Sequence, residues 1–152
     1  MTKRIDKHNY YLNIAQEVLK RGTCIRRNYG AVIVNADEIV STGYSGAPRG
    51  CVNCCDTGIC ERERLNIPSG ERYELCKSVH AEVNACIQAA RRDTIGATLY
   101  LVGWDMKSNR LFTGTQPCAM CQRVIINAGI EQVIIRTSVF TYQVLYVKNW
   151  RF

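Results

Sequence analysis

The amino-acid sequence predicts an α/β layered domain, because runs typical of β-strands alternate along the chain with segments of helical spacing. In such domains the ligand site lies at the ends of strands, where helices begin. The chain has 152 residues, of which 47% are apolar, so we expect one core and a single domain over residues 1–152. It has no leader pattern and no apolar run near the ~18 residues that span a bilayer, so we expect a cytoplasmic protein without a membrane partner.

The first elements are a helix and a hairpin. Residues 10–21 have apolar side chains at helical spacing, and Gly22 follows as a left-handed cap. Short β-branched runs at 31–34 and 39–40 are separated by Asn-Ala-Asp-Glu, which is typical of a hairpin.

A long segment, residues 43–78, is rich in Gly, Pro, Cys and charged side chains. It has too few periodic apolar positions to form a packed element unaided. Loops of this length in small domains are usually functional or disordered, and the cysteines favour a loop ordered by metal.

The second half of the chain returns to helices and strands. The remaining predicted elements are a helix at 79–90, a strand at 97–102, a helix at 118–128 closed by Gly129, and a strand at 133–135. The apolar tail at 140–150 has no clear period and receives no assignment.

Charge and cysteine content indicate the class of ligand. The net charge of +7 suits an anionic partner, either a phosphorylated metabolite or nucleic acid, although an excess of solvated Lys and Arg gives the same balance. Nine cysteines are many for a domain of this size, and their odd number prevents all of them from forming disulfides. Their spacing predicts metal binding.

Two motifs open predicted helices: His80-Ala81-Glu82 and Pro117-Cys118-Ala119-Met120-Cys121. Cys118 and Cys121 are three residues apart, so both sulfurs lie on one face of the first turn, where the positive helix end favours thiolates. Two thiolates and the His80 imidazole suit Zn²⁺ and leave a fourth tetrahedral position open, which is typical of a catalytic site.

Glu82 is the predicted proton carrier. Zinc brings the pKa of bound water towards ~7, which supplies a nucleophile near neutral pH. Glu82 lies two residues from His80 and need not bind the metal, so it is free to accept the proton of that water. One carboxylate can thus serve as base and then as acid in a single hydrolytic cycle.

Together these motifs match the zinc deaminase signature, His-x-Glu followed by Pro-Cys-x-x-Cys. The chain is similar to the deoxycytidylate (dCMP) deaminase family over roughly residues 12–135. The similar stretches are Cys24, Gly30-Ala31-Val32-Ile33-Val34, Ser41-Thr42-Gly43-Tyr44-Ser45-Gly46-Ala47-Pro48, Pro68-Ser69-Gly70-Glu71-Arg72, Cys76, His80-Ala81-Glu82-Val83-Asn84-Ala85 and Ile125-Ile126-Asn127-Ala128-Gly129-Ile130.

This resemblance implies a three-layer α/β/α sandwich with a mixed five-stranded sheet. It also implies dCMP as substrate, dUMP and ammonia as products, a homo-oligomer, often a hexamer, and control by deoxynucleoside triphosphates. The expected substrate contacts are Ser45, where the family usually has Asn, together with Asn84, Arg26, Arg27 and Arg49. The three arginines are expected to read the phosphate because the resemblance places the pocket wall near Cys24 and Pro48.

A second, structural zinc is also expected, because the long loop needs something to order it. The predicted ligands are Cys24, Cys54, Cys60 and Cys76, which would form a closed Cys₄ site. Cys55 competes with Cys54, and Cys51 is a weaker choice. A set of scattered reduced cysteines is the alternative.

Residues 103–115 form an insertion before Pro117, which is either a solvated hairpin or a substrate lid. Other functions stay open. One is deamination of another substrate, such as dCTP or adenine in tRNA, although no basic helix or aromatic stacking platform favours nucleic acid. Another is a catalytically silent, zinc-stabilised binding module, which would not need Glu82.

Overall fold

A computed structural model of the chain describes residues 2–151. Its elements are α1 (Lys7–Leu19), β1 (Arg27–Asn35), β2 (Glu38–Tyr44), α2 (Cys54–Thr57), α3 (Glu61–Arg64), α4 (Ala81–Ile87), α5 (Arg91–Thr94), β3 (Thr98–Asp105), β4 (Arg110–Leu111), α6 (Ala119–Ala128), β5 (Gln132–Arg136) and β6 (Tyr142–Tyr146). Short 3₁₀ turns occupy Tyr73–Leu75 and Val147–Asn149. None of the helices within residues 2–151 has the length and apolar character needed to cross a membrane.

The strands form one mixed sheet in the order β2-β1-β3-β5-β6, in which β3 and β5 are parallel and the other neighbours antiparallel. The two-residue strand β4 pairs with β3 outside this order. The five strands implied by the resemblance are therefore confirmed, and the insertion adds a sixth.

Helices cover both faces of the sheet, which confirms the three-layer architecture. Alternation along β1 places Val32 in the core cluster that includes α1, and Ile33 in the cluster that includes α4 and α6. In β5 the same alternation places Ile134 in the cluster with α1, and Ile135 in the cluster with α4 and α6. The catalytic motifs both belong to the α4/α6 layer.

The helix and hairpin predicted at the start of the chain are both present, with different bounds. The strands of the hairpin are longer than the apolar runs, whereas α1 ends at Leu19. The predicted left-handed cap at Gly22 is wrong, because the helix is capped by Lys20 with φ of −65° and Gly22 has no positive φ.

Helix α1 begins at Lys7 because the Asp6 carboxylate accepts a hydrogen bond from the Asn9 backbone N–H, 2.9 Å away, and caps the first turn. In the hairpin, only Ala36 and Asp37 form the turn, and both have positive φ, 50° and 63°. Such a two-residue turn matches the twist of the paired strands.

The two regions without a regular prediction contain short elements. The 43–78 segment includes α2, α3 and the turn at Tyr73–Leu75, and the tail includes β6, which pairs with β5. In β6, only Val144 and Leu145 are even partly buried, and they pack on opposite faces of the sheet. This edge strand is therefore largely open on both faces, which hides the strand period.

Strand β2 and helix α4 approach each other closely, and this contact fixes the start of α4. A Cβ atom on Gly43 would lie 2.4 Å from both the Ala81 carbonyl oxygen and the Ala85 backbone nitrogen. The Ser41 hydroxyl donates to the Ala85 carbonyl oxygen at 2.7 Å. Gly43 is therefore required for α4 to lie on the sheet.

Candidate active site

Three predicted metal ligands, His80, Cys118 and Cys121, meet where α4 and α6 begin. His80 is the N-cap of α4 and Cys118 is the N-cap of α6. His80 Nδ1 lies 3.3 Å from Cys121 Sγ and 3.5 Å from Cys118 Sγ, and the three ligand atoms all lie within 4.8 Å of one another. The fold thus joins two motifs that are 38 residues apart.

This geometry fits zinc. With Zn–S near 2.3 Å and Zn–N near 2.0–2.1 Å, a tetrahedral ion separates a ligating nitrogen from a ligating sulfur by roughly 3.6 Å. The two observed nitrogen–sulfur distances, 3.3 and 3.5 Å, are close to that value. One imidazole and two thiols are also the donor types that zinc prefers, and three protein ligands leave one tetrahedral position for water or substrate.

The local hydrogen bonds favour a thiolate at Cys118. Its sulfur accepts from the Cys121 thiol and from His80, and the Cys121 backbone N–H at the helix start adds a further donor at 3.5 Å. These contacts lower the pKa of the Cys118 thiol to about 4 and raise the pKa of His80. The hydrogen bond to Cys118 and burial raise the pKa of the Cys121 thiol.

Glu82, the predicted proton carrier, lies in the first turn of α4 and is 4% exposed. Burial raises the pKa of its carboxyl, partly opposed by a backbone hydrogen bond and by His80. Glu82 lines the same cleft as His80 and Cys118. A carboxyl in such surroundings holds a proton more readily than one in water, which suits a group that must both accept and donate.

The cleft has an empty volume of about 770 Å³, including its open mouth. Its wall combines residues from the start of β1, the long loop and both motifs. The lining residues are Cys24, Arg26, Arg27, Tyr29, Ser45, Cys60, Arg62, Ser69, Tyr73, Cys76, Ser78, His80, Glu82, Gln116 and Cys118.

A stack of side chains supports the metal-ligand group from the long loop. The Arg62 guanidinium is buried and donates to the backbone carbonyls of Glu71 and Pro68, both at 3.0 Å. Its Cζ lies 4.6 Å from the centre of the Tyr73 ring, and the Tyr73 and His80 rings meet edge-on with centroids 5.1 Å apart. Arg62 therefore fixes the loop that presses Tyr73 against His80.

A second set of contacts connects the insertion with the cleft. The Arg27 guanidinium lies 3.8 Å from the centre of the Phe112 ring. Tyr29 follows two residues later in β1, and burial raises the pKa of its phenol to about 12, with a further contribution from the nearby Glu82 charge. Arg27, Tyr29 and Glu82 therefore lie in one part of the cleft.

Of the four cysteines predicted for a second metal, Cys24, Cys60 and Cys76 line this cleft, and Cys54 lies near enough to interact with all three. Cys54 is buried, and desolvation first, then the neighbouring Cys24, Cys76 and Cys60, raise the pKa of its thiol. The Arg26 backbone N–H donates to Cys24 Sγ at 3.4 Å. Within residues 2–151, the four sulfurs do not form a group with all separations under 4.8 Å.

Cys55 and Cys51, the competing choices, are both exposed. The Cys55 thiol donates a weak hydrogen bond to Asp56 Oδ1 at 3.8 Å.

The predicted substrate contacts separate into two groups. Ser45 and Arg27 line the cleft; the Ser45 hydroxyl oxygen accepts from the Tyr29 backbone N–H at 3.1 Å. Arg26 also lines it, but it forms an ion pair with Glu63 at 3.1 Å. Asn84 and Arg49 are not among the lining residues, and the Asn84 amide donates to the Tyr44 carbonyl oxygen at 2.8 Å.

Sequence reasoning missed three cleft residues, Arg62, Tyr73 and Tyr29, and it also missed Phe112, which contacts Arg27 of the cleft. One signal was available for Tyr29, because it is two residues after Arg27 in a strand and so shares its face. The other three lie in the long loop, with its short helical turns, and in the insertion, where spacing carries no such information.

A family model matches residues 5–137, and its description is "Cytidine and deoxycytidylate deaminase zinc-binding region". The deoxycytidylate deaminase of Mycobacterium phage D29 is 36% identical over 137 residues, which cover 86% of this chain and 94% of the relative. That of Schizosaccharomyces pombe is 32% identical over 130 residues, and the match covers 86% of this chain. The chain spans only 37% of the length of that yeast relative.

Among solved structures, the dCMP deaminase of cyanophage S-TIM5, in complex with dCMP and dUMP, aligns with a TM-score of 0.60. The alignment covers 88% of this chain and 84% of that one, at 23% sequence identity, so it supports the fold alone. The sequence matches carry the assignment further: this chain belongs to the zinc-binding family of cytidine and deoxycytidylate deaminases.

Proposed function

We propose that the chain catalyses the zinc-dependent hydrolytic deamination of dCMP to dUMP and ammonia. The observation that carries the proposal is a buried carboxyl, Glu82, in one cleft with a His-Cys-Cys group whose spacing fits tetrahedral zinc. The deoxycytidylate deaminase names of the relatives indicate which cytosine compound to test first.

The residues of the chain have distinct tasks in this reaction. His80, Cys118 and Cys121 would hold the zinc, which when bound lowers the pKa of a water molecule to near neutrality. Glu82 accepts a proton as that water adds to C4 of the cytosine ring, and passes it to ring N3. Glu82 then carries the second proton to the exocyclic amine, so that ammonia leaves and the C4 carbonyl forms.

For the phosphate, the best-placed of the predicted residues is Arg27. Its guanidinium lines the cleft, and among residues 2–151 no carboxylate lies within 4.0 Å of it, whereas Arg26 is already paired with Glu63. Ser45, Tyr29 and Glu82 line the same cleft as Arg27, which supports binding of the nucleoside part of the substrate there. Substrate contacts by Arg26, Arg49 and Asn84 stay predictions.

We also infer a structural zinc at Cys24, Cys54, Cys60 and Cys76. The interaction of Cys54 with the other three cysteines supports it, and so does the composition of the long loop, which has few periodic apolar positions. Such a site would tie the loop to the strand β1 side of the cleft.

Oligomerisation and control by a deoxynucleoside triphosphate are further proposals. Helices α4 and α6 leave Ile87, Met120 and Ile126 exposed by 68%, 44% and 39%, which supports a face covered by another copy. Hexamer size and the allosteric site rest on the family resemblance alone.

The test is to incubate the purified protein separately with dCMP, dCTP, CMP and deoxycytidine and to measure ammonia release. We expect release from dCMP in preference to the other three. Preference for another compound would reassign the substrate. No release from any of them by zinc-loaded protein, and none from tRNA, would favour a silent binding module.

A further inference from the structure

The 103–115 insertion is attached to the active-site cleft at two points, so it is not a free solvated hairpin. The Met106 backbone N–H donates to the carbonyl oxygen of Arg26, a cleft residue, at 2.9 Å. Lys107 contacts Glu63 of α3 at 2.6 Å, and Glu63 also pairs with Arg26. The insertion therefore reaches both the long loop and the start of β1.

Its base is packed tightly against the wall of the cleft. A Cβ atom on Gly103 would lie 2.2 Å from the Thr115 hydroxyl and 2.8 Å from the Tyr29 ring. The Thr115 hydroxyl donates to the Phe112 carbonyl oxygen at 2.8 Å, and Thr115 is 1% exposed. This packing fixes the backbone of Phe112 relative to Tyr29 and, through β1, relative to Arg27.

Phe112 is the residue of the insertion that touches a cationic side chain of the cleft. Its ring centre lies 3.8 Å from Arg27 Cζ, within the range of a cation–π contact. An aromatic face attracts a guanidinium without neutralising it, unlike a carboxylate, so the N–H donors of Arg27 stay available for an anion. The Phe112 ring also restricts the rotamers of the long Arg27 side chain before an anion binds. Less side-chain conformational entropy is then lost on binding.

We propose that the insertion is a specificity element in which Phe112 holds the Arg27 guanidinium in position to bind the phosphate monoester of the substrate. The proposal rests on the proposed function, in which Arg27 reads that phosphate. Phe112 is thus a positioning residue that favours a nucleotide over the corresponding nucleoside. It does not act on the cytosine ring or on the proton transfers.

The experiment compares kcat and KM for dCMP and for deoxycytidine in Phe112→Ala, Phe112→Leu and Phe112→Tyr. Loss of one partly exposed cation–π contact corresponds to about a two- to fivefold change in affinity. We expect Phe112→Ala and Phe112→Leu to raise KM for dCMP by that factor, with a smaller change for deoxycytidine. Phe112→Tyr, which keeps the aromatic face, restores the wild-type ratio.

Phe140→Ala is the matched control, because Phe140 is 80% exposed and is not a lining residue of the cleft. It should leave the ratio of the two KM values unchanged. A wild-type KM for dCMP in Phe112→Leu, or equal effects of Phe112→Ala on both substrates, would overturn the proposal.

Titration calorimetry measures the affinities of the same variants for dUMP and for deoxyuridine. It compares a nucleotide with its nucleoside without requiring turnover. If no variant and no wild-type protein releases ammonia, the proposed function fails on its own. The affinity ratio of dUMP to deoxyuridine still decides the role of Phe112: a fall of about two- to fivefold in Phe112→Leu supports it, and an unchanged ratio rejects it.

Discussion

Glu82 is buried near the predicted metal ligands His80, Cys118 and Cys121, and burial raises the pKa of its carboxyl. The substitution Glu82→Gln keeps the shape of the side chain but removes its capacity to accept and return a proton. We expect kcat to fall by about 10²-fold or more while zinc content stays at the wild-type level. Ammonia release and elemental analysis measure the two quantities, and activity within a few-fold of wild type would remove Glu82 from the mechanism.

The Tyr73 ring packs edge-on against the His80 ring and so orients it. Within residues 2–151, the hydrogen-bond contacts of the His80 ring are made by Nδ1 and go to the two cysteines, so ring packing is what holds the other side of the imidazole. Loss of a group that orients a metal-ligating histidine typically weakens metal binding by 10–100-fold. We expect Tyr73→Ala to lower zinc affinity by about tenfold in a chelator competition titration. Tyr73→Phe keeps the ring and should bind zinc as wild type does; equal losses in both would contradict the packing argument.

The two sequence motifs predicted which side chains form the His-Cys-Cys group, because the first turn of a helix fixes the directions of its side chains. His80, Cys118 and Cys121 needed only the rule that residues near a helix N-terminus present donors on one side. Arg62 and Phe112 could not be found in that way, because their positions depend on the path of a loop and of a hairpin. Local spacing contains no information on how those segments fold back.

The close contact between β2 and α4 transmits the position of the sheet to the catalytic helix. A methyl group at Gly43 would enter the space between the Ala81 carbonyl and the Ala85 N–H. We expect Gly43→Ala to lower the free energy of unfolding by about 1–3 kcal/mol, the usual range for overpacking, and to weaken zinc binding.

Urea unfolding and a zinc titration measure these effects. Gly46→Ala is the control, because the nearest atom to its new methyl group is the Thr23 hydroxyl oxygen at 3.3 Å. If the two variants have the same unfolding midpoint, the β2–α4 contact does not have the role assigned to it.

The sequence predicted well those elements that are long enough for their buried apolar residues to show the helix or strand repeat, such as α1, α6 and β3. For example, Gly129 ends α6 in the left-handed conformation, with φ of 79°, as its position after an apolar helix indicates. The short helices α2, α3 and α5 have four residues each, which is too few for a period to emerge. Strand β6 was hidden because its burial pattern depends on β5, its partner in the sheet.

The whole molecule depends on a long loop whose order would come from metal binding. We expect about two zinc ions per chain in protein purified without chelator, and a lower melting temperature after chelation. Cys60→Ser should retain one zinc and melt at a lower temperature than wild type. Cys55→Ser, at an exposed neighbour of Cys54, should retain both.

One zinc per chain in the wild type, together with an unaffected Cys60→Ser variant, would remove the structural site. If Cys55→Ser and Cys60→Ser lose metal equally, Cys55 rather than Cys54 completes the site.

The two outer strands of the sheet differ in their ability to accept another polypeptide. On β2, the Gln88 and Asn84 side-chain amides donate to the Thr42 and Tyr44 carbonyl oxygens, both at 2.8 Å, so backbone acceptors along that edge are already occupied. On β6, within residues 2–151, no further strand pairs with the edge opposite β5. If this sheet added strands from another molecule, as in strand exchange or fibrillar aggregation, the addition would therefore begin at β6. The β2 edge is protected by Asn84 of α4 and by Gln88, the residue that caps α4.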